Sequence, residues 1–275
     1  MAGSEHQLAQ TKHTEETEMG KWNLFPYAGD YQFDAASVKK HWSRLHCGDA
    51  EPLPGDRRLL DAWALFHNGE FQNAMDAGLK VGLGGVTLAN KAACVYATYL
   101  EQTEKSRLDM YREVAERAEA HTAQDPGNPN AYYWQAYALG RYSQGISVAK
   151  ALAQGLGAKV KSALEHTIKL QPRHADAHIA LGAFHAEVID KVGTLIGGMT
   201  YGARKDIGLT LFQEAMRINL ESALAMVEYA NALLMLEGDQ RMKEATRLYQ
   251  QAAAFKPLDA AERLEVEMAK AELAA

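Results

Sequence analysis

Cysteine is scarce in this chain: Cys47 and Cys94 are the only two in 275 residues. Two separate thiols cannot make a disulfide framework or a Cys-based metal motif. Proline is scarce too, at seven residues, which leaves long stretches where helix can run unbroken. No run of about 18 apolar residues occurs, so no segment reads as a membrane-spanning helix. The first residues have neither the basic start nor the apolar stretch of a secretory signal, and a cytoplasmic location is expected. An excess of positive charge is missing: 29 basic residues face 35 acidic ones, for a net charge of -6. That balance argues against nucleic acid as the main partner. Alternation of apolar and polar residues, the mark of a half-buried strand, is absent as well. What the chain does have is a hydrophobic content of 47% and abundant alanine. The first excludes wholesale disorder and the second favours helix.

The polar residues 1–20 lack aromatics and are expected to form a disordered tail. Aromatics then become dense: Trp22, Phe25, Tyr27, Tyr31 and Phe33 predict an ordered, extended segment. A short helix over 34–47 follows, with Asp34 as N-cap and Val38, Trp42 and Leu45 on one face. The cluster Pro52-Leu53-Pro54-Gly55-Asp56 marks a turn. Three regions result: the tail 1–20, an aromatic segment with a short helix over 21–55, and a helical domain over 56–275. In the last, Leu59, Leu60, Trp63 and Phe66 open a helix that breaks at Asn68-Gly69-Glu70 and resumes with Phe71, Ala74 and Met75. Helix pairs are then predicted over 88–102 and 105–124, 130–142 and 158–170, 174–191 and 203–218, and 222–237 and 241–255. A capping helix is predicted over 264–273.

These pairs share a register. Segments beginning at Ala131, Ala175 and Ala223 each place large side chains three and six positions on, followed by a small one: Trp134, Tyr137 and Ala138; His178, Leu181 and Gly182; Met226, Tyr229 and Ala230. Second helices match as well, with Phe212 and Ala215 in one and Ala245, Tyr249, Ala252 and Pro257 in another. Small residues let helices approach closely, and large ones fill the space between successive pairs. The pattern resembles the tetratricopeptide repeat (TPR), a helix-turn-helix unit of about 34 residues. The spacing is longer here: 44 residues separate Ala138 from Gly182, and 48 separate Gly182 from Ala230. The excess falls at 143–157 and 188–202, and the second of these inserts reads as mobile and apolar. With the stretch Ala180 to Gly193 and the stretch Leu211 to Asn219, the second insert resembles one subgroup. That subgroup contains the regulator-of-microtubule-dynamics proteins and the T component of TRAP transporters. The fold implied is an all-α, right-handed TPR-like helical solenoid of about five helix pairs with long inserts inside the repeats. The function implied is binding rather than chemistry.

No residue cluster points clearly to catalysis or a cofactor. His174, His178 and His185 share a helix face, and paired histidines can hold zinc. No carboxylate or Cys completes a metal spacing, and His178 and His185 stand where the repeat needs bulk, so packing is the reading. The stretch Gly197 to Lys205 departs from a phosphate loop: Ala203 and Arg204 stand where GxxxxGK[ST] needs Lys and a hydroxyl. It reads as a flexible loop opening the next helix. Cys94 reads as core, and Cys47 beside His46 does not make a nucleophile pair.

The Tyr-rich stretch after Asn130 is the best candidate for contact. The register sends Tyr132, Gln135, Leu139 and Tyr142 to the concave surface, with Asp176, Ile179, Ala183 and Ala186 equivalent in the next unit. Leu224, Val227, Asn231 and Leu234 follow in the one after. The groove so formed is apolar and aromatic, and a clamp for a chain-end carboxylate would need Lys and Asn where only Asn231 fits. Groove contacts are therefore expected at Tyr132, Gln135, Leu139, Tyr142, Ile179, Val227 and Asn231. The expected function is a non-catalytic scaffold or adaptor for a protein or peptide partner, extended or helical, with no metal and no cofactor. The alternative is a carrier whose inserts 143–157 and 188–202 close a cavity over a small hydrophobic ligand.

Overall fold

A computed structural model describes residues 21–274, and the expected disordered tail lies outside the described residues. The helices begin where local chemistry starts them. The Asp34 carboxylate accepts from the Ser37 backbone N–H while the Ser37 hydroxyl accepts from that of Asp34, both at 2.8 Å. This reciprocal cap opens α1 (Ala35–Leu45). Asp56 caps α2 (Arg57–His67), and Gly69, at φ 86°, turns the chain into α3 (Phe71–Val81). α4 (Val86–Tyr99) and α5 (Glu104–Gln124) follow. Asn128 caps α6 (Pro129–Gln144), whose first residue is proline, needing no hydrogen bond there. Next come α7 (Val148–Ala153), α8 (Leu156–Leu170), α9 (Ala175–Tyr201) and α10 (Lys205–Ile218). α11 (Ala223–Glu237), α12 (Met242–Ala253) and α13 (Ala260–Ala274) complete the chain, and no strand occurs among the described residues.

Five helix pairs stack in order: α2/α3, α4/α5, α6/α8, α9/α10 and α11/α12. The fold is the expected all-α helical solenoid. Its first helices form an inner layer, α2 against α4, α4 against α6, α6 against α9, and α9 against α11. α13 then touches both α11 and α2, so the layer closes on itself. Ion pairs bind the closure: the Arg44 guanidinium meets Glu262 at 2.5 Å, and His67 meets Asp259 at 2.6 Å with both side chains buried. The Arg263 guanidinium lies 4.0 Å from the centre of the Tyr27 ring.

The aromatic N-terminal segment straps the first two pairs. Trp22 stacks on Tyr96 with centroids 4.2 Å apart, and Phe25 is buried edge-on against Phe71. Asn68 holds the strap by both its amide groups, to the Phe33 N–H and carbonyl. After α1, residues 46–51 cross the inner layer. The Gly48 carbonyl accepts from Asp176 N–H, and the Asn130 amide donates to the Asp49 carbonyl and the Glu51 carboxylate.

Both inserts carry helix, and the second differs from the expected loop. The first carries α7. In the second, helix α9 runs on to Tyr201 with one break at Gly193, whose φ of 82° and ψ of 159° suit glycine alone. The stretch Gly197 to Tyr201 is helical and ends at Gly202 in the left-handed conformation. The expected flexible loop is therefore a helical hairpin arm: glycine supplies the break, and the apolar residues around it sustain helix on either side. No helix among the described residues is long and apolar enough to cross a membrane.

Candidate functional site

Between α6 and α9 lies a cavity of about 310 Å³, a volume within the range of small-molecule sites. α6 supplies Tyr133, Ala136, Tyr137, Gly140 and Arg141, and α9 supplies Ile179, Ala180, Ala183, Phe184 and Glu187. Val160 and Leu164 of α8 form one end. The outer wall comes from the two inserts: Ile146, Val148 and Leu152 from the first, Val188, Val192 and Tyr201 from the second. The same two segments that overrun the ordinary repeat thus roof the cavity.

The polar groups in this apolar space are few and mostly paired. Arg141 reaches Glu228 at 3.2 Å and lies over the Tyr137 ring. The Gln144 amide donates to Glu187 at 2.6 Å. Burial pushes the Glu187 carboxyl up, and the cations Lys191 and Arg141 pull against it. Asp176 has no hydrogen bond or ion pair through its carboxylate among the described residues. Burial and the nearby Asp49 carboxylate raise it to about 7 against the pull of Lys91. Its carboxylate packs on Gly48 so closely that a Cβ there would collide with it.

The cavity uses a different face of α6 from the expected one. Tyr132 turns away: its ring packs on His166 of α8, centroids 4.3 Å apart, and its hydroxyl donates to the Pro126 carbonyl at 3.3 Å. Gln135, Leu139 and Tyr142 are half-buried beside it and do not line the cavity. The reason is geometric. The cavity sits between two first helices, so α6 and α9 meet it with opposite flanks, and one repeat register cannot place both. In α9 Asp176, Ile179 and Ala183 line the space, and Ala186 is fully buried. In α11 only Leu224 does; Val227 is fully buried, and Asn231 accepts a hydrogen bond from the Tyr249 hydroxyl. Tyr133 and Arg141 were missed because the repeat pattern treats one as packing and the other as an exposed helix end.

The three histidines are spent on separate tasks. His174 Nδ1 caps α9 by accepting from Ala177 N–H, and its Nε2 meets the Asn130 carbonyl oxygen. His178 Nε2 meets the Pro172 carbonyl, and His185 Nδ1 accepts from Arg204 N–H. Among the described residues no cluster of three or more His, Cys, Asp or Glu could hold a metal ion. Cys94 is buried, with its thiol pushed above the usual range by burial, and Cys47 faces the Ile218 carbonyl at 3.7 Å.

No family model and no curated protein matches the chain. Among solved structures it is similar to the crystal structure of a thermophilic TPR protein of Thermus thermophilus. The identity is 17% and the TM-score 0.54, over 78% of this chain and 97% of that one. At this identity the likeness shows the fold: a helical solenoid of tetratricopeptide type.

Proposed function

We propose that this chain is a non-catalytic binding protein that holds a small, mainly apolar ligand in the α6–α9 cavity. One observation carries the reading: the walls that close the cavity are the two segments exceeding the repeat length. A solenoid needs neither segment to stack its helices. Their apolar side chains, Val148, Leu152, Val188 and Val192, turn towards the space rather than towards a neighbouring pair. The resemblance to the regulator-of-microtubule-dynamics and T-component subgroup belongs to this proposal, as does the cytoplasmic location.

Native mass spectrometry of the chain purified gently from its own host tests it. The expected outcome is an added mass of a few hundred daltons that disappears in Ala183→Phe, which fills the cavity. A bare chain from the host, with no binding of apolar probes, would sink the reading. A scaffold role is the second reading, favoured by the second insert's tip, where Leu195, Ile196 and Met199 are 75%, 58% and 81% exposed. A retained protein chain in the same spectrum, lost on Leu195→Ser with Met199→Ser, would favour it.

A further inference from the structure

A smaller chamber of about 90 Å³ adjoins the cavity, and Tyr133, Tyr137, Asp176 and Leu224 line both. Six carboxylates line the chamber, and four are answered by the protein. Asp49 is bonded to Lys91 at 2.6 Å and to His46. Asp259 is bonded to His67, and Glu262 and Glu221 to Arg44. The remaining two, Asp176 and Glu265, have no hydrogen bond or ion pair through their side chains among the described residues. Lys91 is the cation whose charge acts on both, and its Nζ is bonded to Asp49.

Tyr99, Tyr133, Trp134 and Tyr137 give the chamber an aromatic side. Aromatic faces with carboxylates attract ammonium groups. The interior already holds one cation in this way, for Lys91 Nζ lies 5.3 Å from the Phe66 ring centre and 5.6 Å from that of Trp63. Among the described residues no cluster of three or more His, Cys, Asp or Glu could hold a metal ion, whereas an aromatic side suits an organic cation.

We propose that the ligand is an amphipathic organic cation, its ammonium head in the chamber beside Asp176 and Glu265 and its apolar body in the large cavity between α6 and α9. This rests on the ligand-binding reading above and adds the chemistry of the head. The fit is electrostatic and steric. Asp176 and Glu265 are half-buried and have no cation of their own, and an ammonium supplies one. A carboxylate-headed amphiphile would bring a further negative charge to a place where burial and neighbouring carboxylates already disfavour one. A neutral one would leave Asp176 and Glu265 unanswered. Burial, with Glu262, Asp176 and Asp259 nearby, also pushes the Glu265 carboxyl well up against Lys91. Both carboxyls therefore shed protons when the cation arrives.

Calorimetric titration of the full chain with octyltrimethylammonium, octanol and octanoate tests the proposal. The ammonium compound is expected to bind at least about tenfold more tightly than the other two, and to release protons on binding between pH 6 and 7. Asp176→Asn and Glu265→Gln are each expected to weaken it about tenfold or more while leaving octanol binding unchanged. The octanol control shows that each variant keeps its cavity. Octanol or octanoate binding as well as the ammonium compound, or unchanged affinity in both variants, overturns the cationic head and leaves the cavity reading standing. No binding by any of the three overturns both.

Discussion

Gly78 and Gly85 bring α3 and the turn before α4 into backbone contact. A Cβ on Gly85 would collide with the Gly78 carbonyl, and one on Gly78 would crowd the Gly85 carbonyl. Gly84 stands next in the chain with nothing within 4 Å of its Cβ position. The pair therefore makes a matched test. Gly85→Ala is expected to destabilise the fold by about 1–3 kcal/mol, because backbone cannot step aside as a side chain can. Gly84→Ala is expected to change stability by no more than about 0.5 kcal/mol. Urea denaturation of both variants checks the contrast, and equal midpoints would refute the assigned contact. Much at this scale is legible in the chain itself. The Asp34 cap, the Asn68-Gly69-Glu70 turn and the buried Ala230, Ala245 and Ala252 follow from local chemistry and spacing. The tasks of His174 and His185 do not, since their partners Asn130 and Arg204 lie 44 and 19 residues away.

At the scale of elements, α9 is where the expectation and the structure part most. The residues from Val188 to Gly202 have the apolar and glycine content of a loop, yet they extend a helix with one break. Gly193 sits at a φ/ψ combination that costs other residues about 1–3 kcal/mol. Gly193→Ala is expected to destabilise the arm by that amount while the five pairs keep their melting temperature within a degree or two. Hydrogen exchange would show faster exchange over 189–201 and unchanged protection in α4 and α11. If Gly193→Ala instead leaves exchange of the arm as it was, the break is not held by the glycine. The face of α6 presented to the cavity belongs to this scale too. Helical spacing identifies an apolar face from 3.6-residue periodicity, but α6 packs on α5 and α8 as well as α9. With neighbours on several sides, periodicity cannot say which flank is left facing a space.

The whole molecule is decided by closure of its inner layer through α13, which shuts buried charge inside. Stability against pH should carry the signature of that enclosure. Glu51, in the crossing segment 46–51, is raised from 4.5 to about 8 by burial and Asp49, against the Asn130 hydrogen bond. Asp176 is raised to about 7. The folded chain thus holds protons that the unfolded chain releases, and stability falls as pH rises towards these values. His46 and His174 act in the other direction. Burial lowers each from 6.5 to about 4, so the unfolded chain takes up protons first and stability falls as pH drops below 6.5. The two sets offset each other between about pH 4.5 and 6.5, and above 6.5 only the carboxyls act. The melting temperature is expected to stay level between about pH 4.5 and 6.5 and to fall towards pH 8, on the order of 1 kcal/mol per pH unit per group at most. Glu51→Gln should flatten that fall. A profile that rises from pH 6.5 to 8 would contradict the burial of these carboxyls.

The chain alone determined the helices of the five pairs, their order and their pairing, because caps, turns and the spacing of small and large residues act within one or two helical units. The excess length at 143–157 and 188–202 was readable for the same reason. Only the tertiary structure decided that the inner layer closes, that the two excess segments meet over one cavity, and that Asp176 and Glu265 come together without a cation. Those outcomes join residues as far as 218 positions apart. They depend on small rotations accumulated over five stacked pairs, which no local pattern in the sequence records.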